Sequence, residues 1–407
     1  MVVFSCICCP YLSRWKRSWV WNVLSKEPLV NCCSASCIWY TLLPLCVSDG
    51  RSECLRWGAD QVGCFVLDGV ELPECCWSCT HPASNTKMLF MEEEPFAQEE
   101  FLYCCGAATQ LLKFGSLDCW LKVRSNNSSK VLFLIIPGNP GIVYYYKPFM
   151  QILYKILNQK YPIWAISHAG HCVPSEDMEM MEDIELEDVF GLNGQVEHKL
   201  TFLMKNVPKD IKLVLIGHSI GCHMILEMMK REPNLKVLKA VLLFPTIERM
   251  AESPQGKLMT PVLCKLRFLM YIPIYFLSFL PESVKASLVR WALQGLQSLD
   301  EATVTASLNL FNVDCAANAM YLGSQEMVQV VQRDDSTIRR CLDKLIFYYG
   351  YNDRWCPIKY YEDMKRSFPE GTIHLCQKGI RHAFVLDANV EMAQMLIDWL
   401  CTDLANL

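Results

Sequence analysis

Clustered basic residues are missing from this 407-residue sequence, whose formal net charge is −5. Nucleic-acid binding needs Lys and Arg side chains gathered against phosphates, so this charge pattern argues against a nucleic-acid partner. Long apolar runs are missing too, since no uninterrupted stretch reaches the roughly 20 residues that a membrane-spanning helix needs. At the start of the chain an apolar stretch precedes the first basic residues, the reverse of a secretory signal peptide. We therefore expect neither a signal peptide nor an ordinary transmembrane helix.

Recognisable sites for metals and nucleotides are also lacking. Cys6-x-x-Cys9 and Cys76-x-x-Cys79 each supply half of a zinc-binding pattern, but no further His or Cys pair at standard spacing completes either one. No phosphate-binding motif of the kind used by nucleotide-binding proteins is present. The sequence therefore predicts no cofactor and no metal.

Cysteine is abundant, and its distribution divides the chain. Twelve of the 23 cysteines and six of the 11 tryptophans precede Met91. No helical or strand period persists in that region. The later cysteines show no regular spacing and are typical of free thiols in a reducing compartment. We predict a poorly ordered extension over residues 1–90 and one globular domain over residues 91–407.

From residue 91 onward, apolar runs typical of buried strands alternate with amphipathic segments typical of helices. The predicted strands are 101–114, 119–123, 131–136, 163–167, 213–216, 240–244, 345–349 and 372–376. The predicted helices are 144–158, 192–204, 220–230, 360–367 and 390–400, with a mostly helical insertion at about 248–342 and an acidic loop at 176–188. Such alternation predicts an α/β fold with a mostly parallel central sheet and helices on both faces.

A sharp strand-to-helix turn is predicted at Gly217-His-Ser-Ile-Gly221, where a G-x-S-x-G motif follows an apolar strand and precedes a helix. The two glycines leave room for neighbouring backbone, and Ser219 Oγ then projects above the carboxyl edge of the sheet. The helix N-terminus favours negative charge at that point. The competing interpretation is an ordinary helix N-cap serine between two glycines. We predict that Ser219 is a nucleophile.

A serine nucleophile needs a base, and the base needs a carboxylate that orients it. His382 lies just past the last predicted strand, and Asp353 follows the strand before it. The order Ser219, Asp353, His382 is the order expected for α/β-hydrolases. Glu248, after an earlier strand, is the competing acid, and Asp353 has the competing interpretation of a turn residue. His218, inside the turn, is expected to point away from the nucleophile.

Two backbone N–H groups are needed to stabilise the oxyanion that forms during acyl transfer. Ile220, directly after the nucleophile, is the first predicted donor. The second should come from the loop Pro137–Gly141, where Pro140 has no N–H and Asn139 is the better candidate. The competing interpretation of this loop is a tight turn without a catalytic role.

These motifs together resemble the lipid droplet-associated hydrolase family over about residues 91–407. The segments that carry the resemblance are 135–141, 167–171, 191–195, 213–221, 243–249, 348–357 and the surroundings of His382. The resemblance implies an α/β-hydrolase fold, a triad of Ser219, Asp353 and His382, and association with lipid droplets and the cytosolic face of the endoplasmic reticulum.

Three functions stay open at this point. The first is a serine hydrolase that cleaves hydrophobic lipid esters, such as cholesteryl esters, through an acyl-enzyme. The second is a droplet-bound scaffold or regulator of lipid storage with little turnover. The third is acyl transfer, in which an alcohol replaces water. An intact triad is compatible with all three, because it need not face a productive pocket.

A short apolar segment inside the insertion suggests how the protein meets lipid. Residues 268–280 form an apolar run of 13 residues with a central proline. The run is too short to cross a bilayer but suits insertion into one leaflet or into a droplet's monolayer. We expect Lys265 and Arg267 to reach head groups, and Tyr271 and Tyr275 to lie at the interface. The competing interpretation is a buried cap helix over an acyl pocket.

Overall fold

The structure is a computed structural model of the chain, and it describes residues 95–115, 130–174, 186–296 and 299–406. The predicted extension over residues 1–90, the predicted strand at 119–123 and most of the acidic loop at 176–188 lie outside these ranges.

A mixed sheet of eight strands forms the centre of the described domain, in the order β1-β2-β4-β3-β5-β6-β7-β8. The strands are β1 (Gln98–Cys104), β2 (Ala107–Phe114), β3 (Val131–Ile136), β4 (Ile163–Ile166), β5 (Lys212–His218), β6 (Val237–Leu243), β7 (Leu345–Gly350) and β8 (Thr372–Cys376). β2 pairs antiparallel with β1 and β4, and all other neighbours are parallel. Every residue of β3 and β7 is buried, as expected for strands covered on both faces.

Eleven α-helices accompany the sheet in the described ranges. They are α1 (Lys147–Ile156), α2 (Leu192–Asn206), α3 (Ile220–Arg231), α4 (Pro254–Lys265), α5 (Arg267–Ser278), α6 (Glu282–Ala292), α7 (Glu301–Leu308), α8 (Val313–Gln329), α9 (Asp335–Arg340), α10 (Ile358–Ser367) and α11 (Asn389–Ala405). α1 packs on α11, and α2 packs on α3. These elements confirm the predicted α/β class, with helices flanking a mostly parallel sheet.

The first predicted strand is in fact a hairpin. β1 and β2 are joined by Cys105 and Gly106, whose φ angles are 52° and 75°. A two-residue turn with both φ values positive matches the right-handed twist of the flanking strands. The prediction of one strand from Phe101 to Phe114 was wrong because cysteine is an unusual residue in this left-handed conformation, and Gly106 was the single turn signal.

The predicted insertion between β6 and β7 consists of helices α4–α9. α8 begins where the Asn312 side chain accepts hydrogen bonds from the Asp314 and Cys315 N–H groups, which caps its first turn. α8 packs against both α4 and α5, and α7 packs against residues 143–146 beside the loop that follows β3. The insertion therefore lies next to the carboxyl edge of the sheet.

α4 and α5 meet at a bend of 80° and expose an apolar surface. Within the described ranges no single helix is long and apolar enough to cross a membrane, although this bent pair passes the same test when its two halves are taken together. The side chains of Leu269, Phe276 and Phe279 are 60%, 67% and 68% exposed. A buried cap helix would not expose these residues, so the structure favours a surface role for this segment.

Part of the expectation for this segment was wrong. The side chains of Arg267 and Tyr271 are buried, with 8% exposure each, whereas Lys265 and Tyr275 are exposed. Arg267 Nη1 donates to Ser324 Oγ on α8 at 3.2 Å. Tyr271 belongs to a small apolar cluster with Ala317 on the same helix. Arg267 and Tyr271 therefore attach α5 to α8 and do not face the surface.

Candidate active site

The turn between β5 and α3 has the strained backbone that the sequence motif predicts. Ser219 has φ 53° and ψ −120°, a conformation that residues with a side chain rarely adopt. A Cβ atom on Gly221 would lie 2.2 Å from the Ile136 carbonyl oxygen, and one on Gly217 would lie 3.0 Å from the Cys222 backbone. The Ser219 side chain makes no capping hydrogen bond to α3, which disfavours the N-cap interpretation. Strain at this position is typical of a nucleophile held above a sheet.

The structure brings the side chains of Ser219, His382 and Asp353 into one hydrogen-bonded chain. His382 Nε2 lies 2.8 Å from Ser219 Oγ, and His382 Nδ1 lies 2.6 Å from Asp353 Oδ2. Because an ionised carboxylate can only accept, Nδ1–H is the donor and Nε2 is left to accept the Ser219 proton. This is the tautomer that a general base in this position requires.

Asp353 is buried and held by four donors. Its Oδ1 accepts the Trp355 and Cys356 N–H groups at 2.7 and 3.2 Å, and its Oδ2 accepts the Cys356 thiol at 2.9 Å as well as His382. Burial on its own would raise the pKa of this carboxyl, but the electrostatic interaction with His382 and these hydrogen bonds outweigh burial and lower it. Asp353 is thus both a turn residue and the ionised partner of His382.

Glu248, the competing acid, has other partners. Its carboxylate oxygens lie 2.6 Å from Arg249 Nη2 and 3.1 Å from Arg333 Nη1. Burial raises the pKa of Glu248, against the lowering effect of the two guanidinium groups. Of the two candidate acids, the structure places Asp353 and not Glu248 in hydrogen-bond contact with His382.

The loop after β3 lies directly against Ser219. A Cβ atom on Gly138 would lie 2.9 Å from Ser219 Cβ, so only glycine permits this approach. The Gly138 N–H donates to Tyr146 Oη at 2.8 Å, and the Gly141 N–H donates to the Gly138 carbonyl at 2.7 Å. The peptide bond between Asn139 and Pro140 is cis, and Pro140 has no N–H. Among the described residues, the Asn139 N–H is thus the one amide of this loop without an acceptor.

Ile220 is the first residue of α3, immediately after Ser219. The first N–H groups of a helix have no carbonyl partner within the helix, so this amide is free to bind a group that lies beside Ser219. Ile220 follows Ser219 directly in the chain, and Asn139 follows Gly138, which contacts Ser219. The role of these two N–H groups as oxyanion donors stays a prediction.

His218 does not contact Ser219 Oγ, as predicted, but it has a role that the sequence did not indicate. Its Nδ1 lies 2.7 Å from Tyr146 Oη, and its Nε2 lies 2.8 Å from the His382 carbonyl oxygen. Because the His382 carbonyl oxygen can only accept, His218 Nε2–H donates to it, and His218 Nδ1 is left to accept. The Tyr146 hydroxyl therefore donates to Nδ1, while its oxygen accepts the Gly138 N–H. Burial and the nearby His382 lower the pKa of His218 to about 3, so the ring is neutral.

Four further histidines of the domain lie in other surroundings. His374 stacks on Trp399 with a centroid distance of 4.9 Å. His168, His171 and His198 are fully buried. His171 Nδ1 donates to the Pro140 carbonyl oxygen at 2.5 Å and so stabilises the loop after β3.

A mostly apolar cavity of about 230 Å³ adjoins this constellation. Its lining includes the loop from Gly138 to Ile142, His218, Leu293 and Leu310 from the insertion, and Val385, which follows His382 along the chain. Ser219 is not among the lining residues, but its neighbour His218 is.

The strand order, the strained turn that carries Ser219 and the histidine after the last strand define an α/β-hydrolase. Comparison with solved structures agrees, since haloalkane dehalogenase DbeA from Bradyrhizobium elkani superposes with a TM-score of 0.52 at 13% identity. That match covers 77% of this chain and 100% of the dehalogenase, and it shows the shared fold alone.

Sequence comparison identifies the family within this fold. The model of the family described as lipid-droplet associated hydrolase matches residues 129–385. The lipid droplet-associated hydrolase of Gallus gallus is 63% identical over 324 residues, which are 79% of this chain and 100% of the relative. The one of Homo sapiens is 49% identical, over 78% of this chain and 99% of the relative. The chain belongs to the lipid droplet-associated hydrolase family, which confirms the resemblance drawn from its motifs.

Proposed function

We propose that this protein is a serine hydrolase that cleaves hydrophobic lipid esters at the surface of lipid droplets and of the endoplasmic reticulum, on the cytosolic side. The observation that carries the proposal is the hydrogen-bonded chain from Ser219 Oγ through His382 to Asp353 on a strained strand-to-helix turn. The names of the relatives, which are lipid droplet-associated hydrolases, support the class of reaction and the location.

The proposed reaction has two halves. His382 Nε2 takes the proton of Ser219 as its Oγ attacks the ester carbonyl, and the oxyanion binds the N–H groups of Ile220 and Asn139. His382 then gives that proton to the departing alcohol, and the acyl group stays on Ser219. In the second half His382 takes a proton from water, the hydroxide attacks the acyl-enzyme, and the carboxylic acid leaves as Ser219 regains its proton.

The cavity beside the loop after β3 supports an acyl chain as its ligand. Its volume of about 230 Å³ is smaller than the roughly 300–1,000 Å³ of pockets that enclose drug-sized molecules. We propose that one acyl chain enters this cavity, while the bulky alcohol part, for example the sterol of a cholesteryl ester, stays toward the lipid phase. Neither a cofactor nor a metal takes part in this scheme.

The exposed apolar surface of α4–α6 supports attachment to a lipid monolayer. Its large exposed apolar side chains are Leu258, Leu266, Leu269, Ile272, Phe276, Leu277, Phe279, Val284, Leu288 and Trp291. Many exposed apolar side chains in one segment are typical of an interaction surface, and amphipathic helices of this composition lie within the boundary between head groups and acyl chains. Lys265 and Tyr275, both exposed, suit the edge of such a contact.

Replacement of Leu269, Phe276 and Phe279 together by Ser is expected to release the protein from droplets. Fully burying such a side chain is worth about 1.5–3 kcal/mol, and these three are about two-thirds exposed before binding, so the loss is about 3–6 kcal/mol, or two to four orders of magnitude in partitioning. The measurement is flotation with purified droplets, combined with hydrolysis of an emulsified cholesteryl ester and of a water-soluble short-chain ester. The variant should lose flotation and emulsion hydrolysis but keep hydrolysis of the soluble ester.

A matched control replaces three equally exposed apolar residues elsewhere, Met204, Val328 and Val390, by Ser. This control should float with droplets as the unmodified protein does. If the α5 variant also stays on droplets while folded, or if it unfolds, the segment is not the anchor.

We also propose that residues 91–407 fold without residues 1–90. The full length of the Gallus gallus relative aligns with 324 of the 407 residues, which supports a hydrolase domain that is complete without the remainder. Deletion of residues 1–90 should yield a protein that melts cooperatively and reacts with a fluorophosphonate probe at the same rate. An insoluble truncated protein would show that the first 90 residues pack on the domain.

A further inference from the structure

The side chain of Asn139 attaches the loop after β3 to the insertion. Its Nδ2 donates to the Ala319 carbonyl oxygen at 2.8 Å and to Glu326 Oε1 at 3.0 Å, both on α8. A Cβ atom on Gly323 would lie 3.3 Å from the same nitrogen. Ala319, Gly323 and Glu326 are spaced four and three residues apart and share one face of α8. One face of α8 therefore holds the Asn139 side chain of the loop that approaches Ser219.

Glu326 is an unusual residue for this buried position. Its side chain is 4% exposed, and burial raises its pKa to about 8 against the lowering effect of the Asn139 hydrogen bond. The carboxyl group therefore carries its proton near pH 7, and its Oε1 accepts from Asn139 as a neutral acid. Burying a polar group costs free energy that an apolar side chain would avoid, so packing alone does not explain the residue.

The same turn of α8 also contacts the apolar helix pair, α4 and α5. Arg267 Nη1 donates to Ser324 Oγ at 3.2 Å, and the Cys264 thiol lies 3.8 Å from the Ser324 carbonyl oxygen. Leu263 of α4 would meet a Cβ atom on Gly323 at 3.1 Å. The helices that expose the proposed lipid surface and the loop beside Ser219 thus contact neighbouring residues of α8.

We propose that Asn139 is a positioning residue, whose side chain lets α8 and Glu326 set the orientation of the oxyanion loop. This inference rests on the proposed serine mechanism, in which the N–H of Asn139 stabilises the oxyanion. The two hydrogen bonds of the side chain fix the same Cα atom that carries this N–H. An oxyanion donor must lie about 2.7–3.1 Å from the charge it stabilises, and a displacement of about 1 Å can lower the rate by about 10²-fold. The insertion would then contribute to catalysis as well as to lipid attachment.

Kinetics on a water-soluble short-chain ester separate this role from lipid binding. Asn139→Ala keeps the backbone N–H but loses both side-chain hydrogen bonds, so kcat should fall about 10- to 100-fold with KM nearly unchanged. Glu326→Leu should lower kcat in the same direction. Glu326→Gln, which keeps an oxygen acceptor of the same reach, should restore most of the rate that Glu326→Leu loses. Asn139→Leu, of similar volume, is the second variant if Asn139→Ala does not fold.

A role in packing alone would lower the melting temperature and leave kcat of the folded protein unchanged. A folded Asn139 variant with the kcat of the unmodified protein would overturn the inference, as would a Glu326→Gln variant as slow as Glu326→Leu. If the unmodified protein neither hydrolyses the ester nor reacts with a fluorophosphonate at Ser219, the proposed function itself has failed. The two failures are therefore distinguishable.

Discussion

Ser219→Ala is expected to lower kcat for ester hydrolysis by about six orders of magnitude, the scale seen when a serine protease loses its nucleophile. The physical reason is that no other described hydroxyl lies between His382 Nε2 and the loop after β3. Thr246 Oγ1 lies 3.5 Å from Ser219 Oγ but forms no hydrogen bond to His382 among the described contacts. The measurement is kcat and KM on a soluble ester, with the melting temperature as the check on folding.

Ser219→Ala is a suitable variant because the residue already tolerates an unusual backbone conformation. Its φ of 53° is set by the turn, and alanine adds no bulk next to Gly138. A folded Ser219→Ala protein that hydrolyses the ester at the rate of the unmodified protein would remove Ser219 from the mechanism.

Asp353→Asn is expected to lower kcat by about 10⁴-fold while leaving the fold intact, because the orienting carboxylate of a serine triad acts on the tautomer of the histidine. Asparagine can still accept the Trp355 and Cys356 N–H groups through its oxygen. Its NH₂ group would then face His382 Nδ1 as a donor, and Nε2 would carry the ring proton. In that state Nε2 cannot accept the proton of Ser219, so the attack is slow.

Glu248→Gln is the matched control for this experiment, since Glu248 was the competing acid from the sequence. Its carboxylate bonds Arg249 and Arg333, so the change should affect stability more than kcat. A large loss of kcat in Glu248→Gln together with a small loss in Asp353→Asn would transfer the role of acid to Glu248.

Local sequence patterns were sufficient to predict the strained strand-to-helix turn at Ser219. The residues that require glycine at positions 217 and 221 are close in the chain or on the adjacent strand. The G-x-S-x-G motif on its own therefore predicts the close backbone packing at this turn. His382 and Asp353 were found through chain order, because the carboxyl ends of parallel strands meet at one edge of the sheet. The fold class followed from the alternation of strands and helices.

Contacts between distant segments could not be predicted in the same way. His218 forms hydrogen bonds to Tyr146 and to the His382 carbonyl oxygen only after three distant segments have packed together. No local sequence pattern predicts such contacts. The faces of α5 were also ambiguous, since nearly every residue in 268–280 is apolar and periodicity cannot separate the face that packs on α8 from the exposed one. For this reason Tyr271 was assigned to the lipid interface although it is buried.

Fluorophosphonate labelling of the unmodified protein, followed by mass spectrometry of the labelled peptide, tests whether Ser219 is an activated nucleophile. The probe reacts with a serine only when a base and an oxyanion site activate it, so it measures the assembled geometry without requiring the natural substrate. We expect one adduct, on Ser219, that is absent from Ser219→Ala and strongly slowed in Asp353→Asn. An adduct on a different serine, or a folded protein that takes up no probe, would show that Ser219 is not an activated nucleophile.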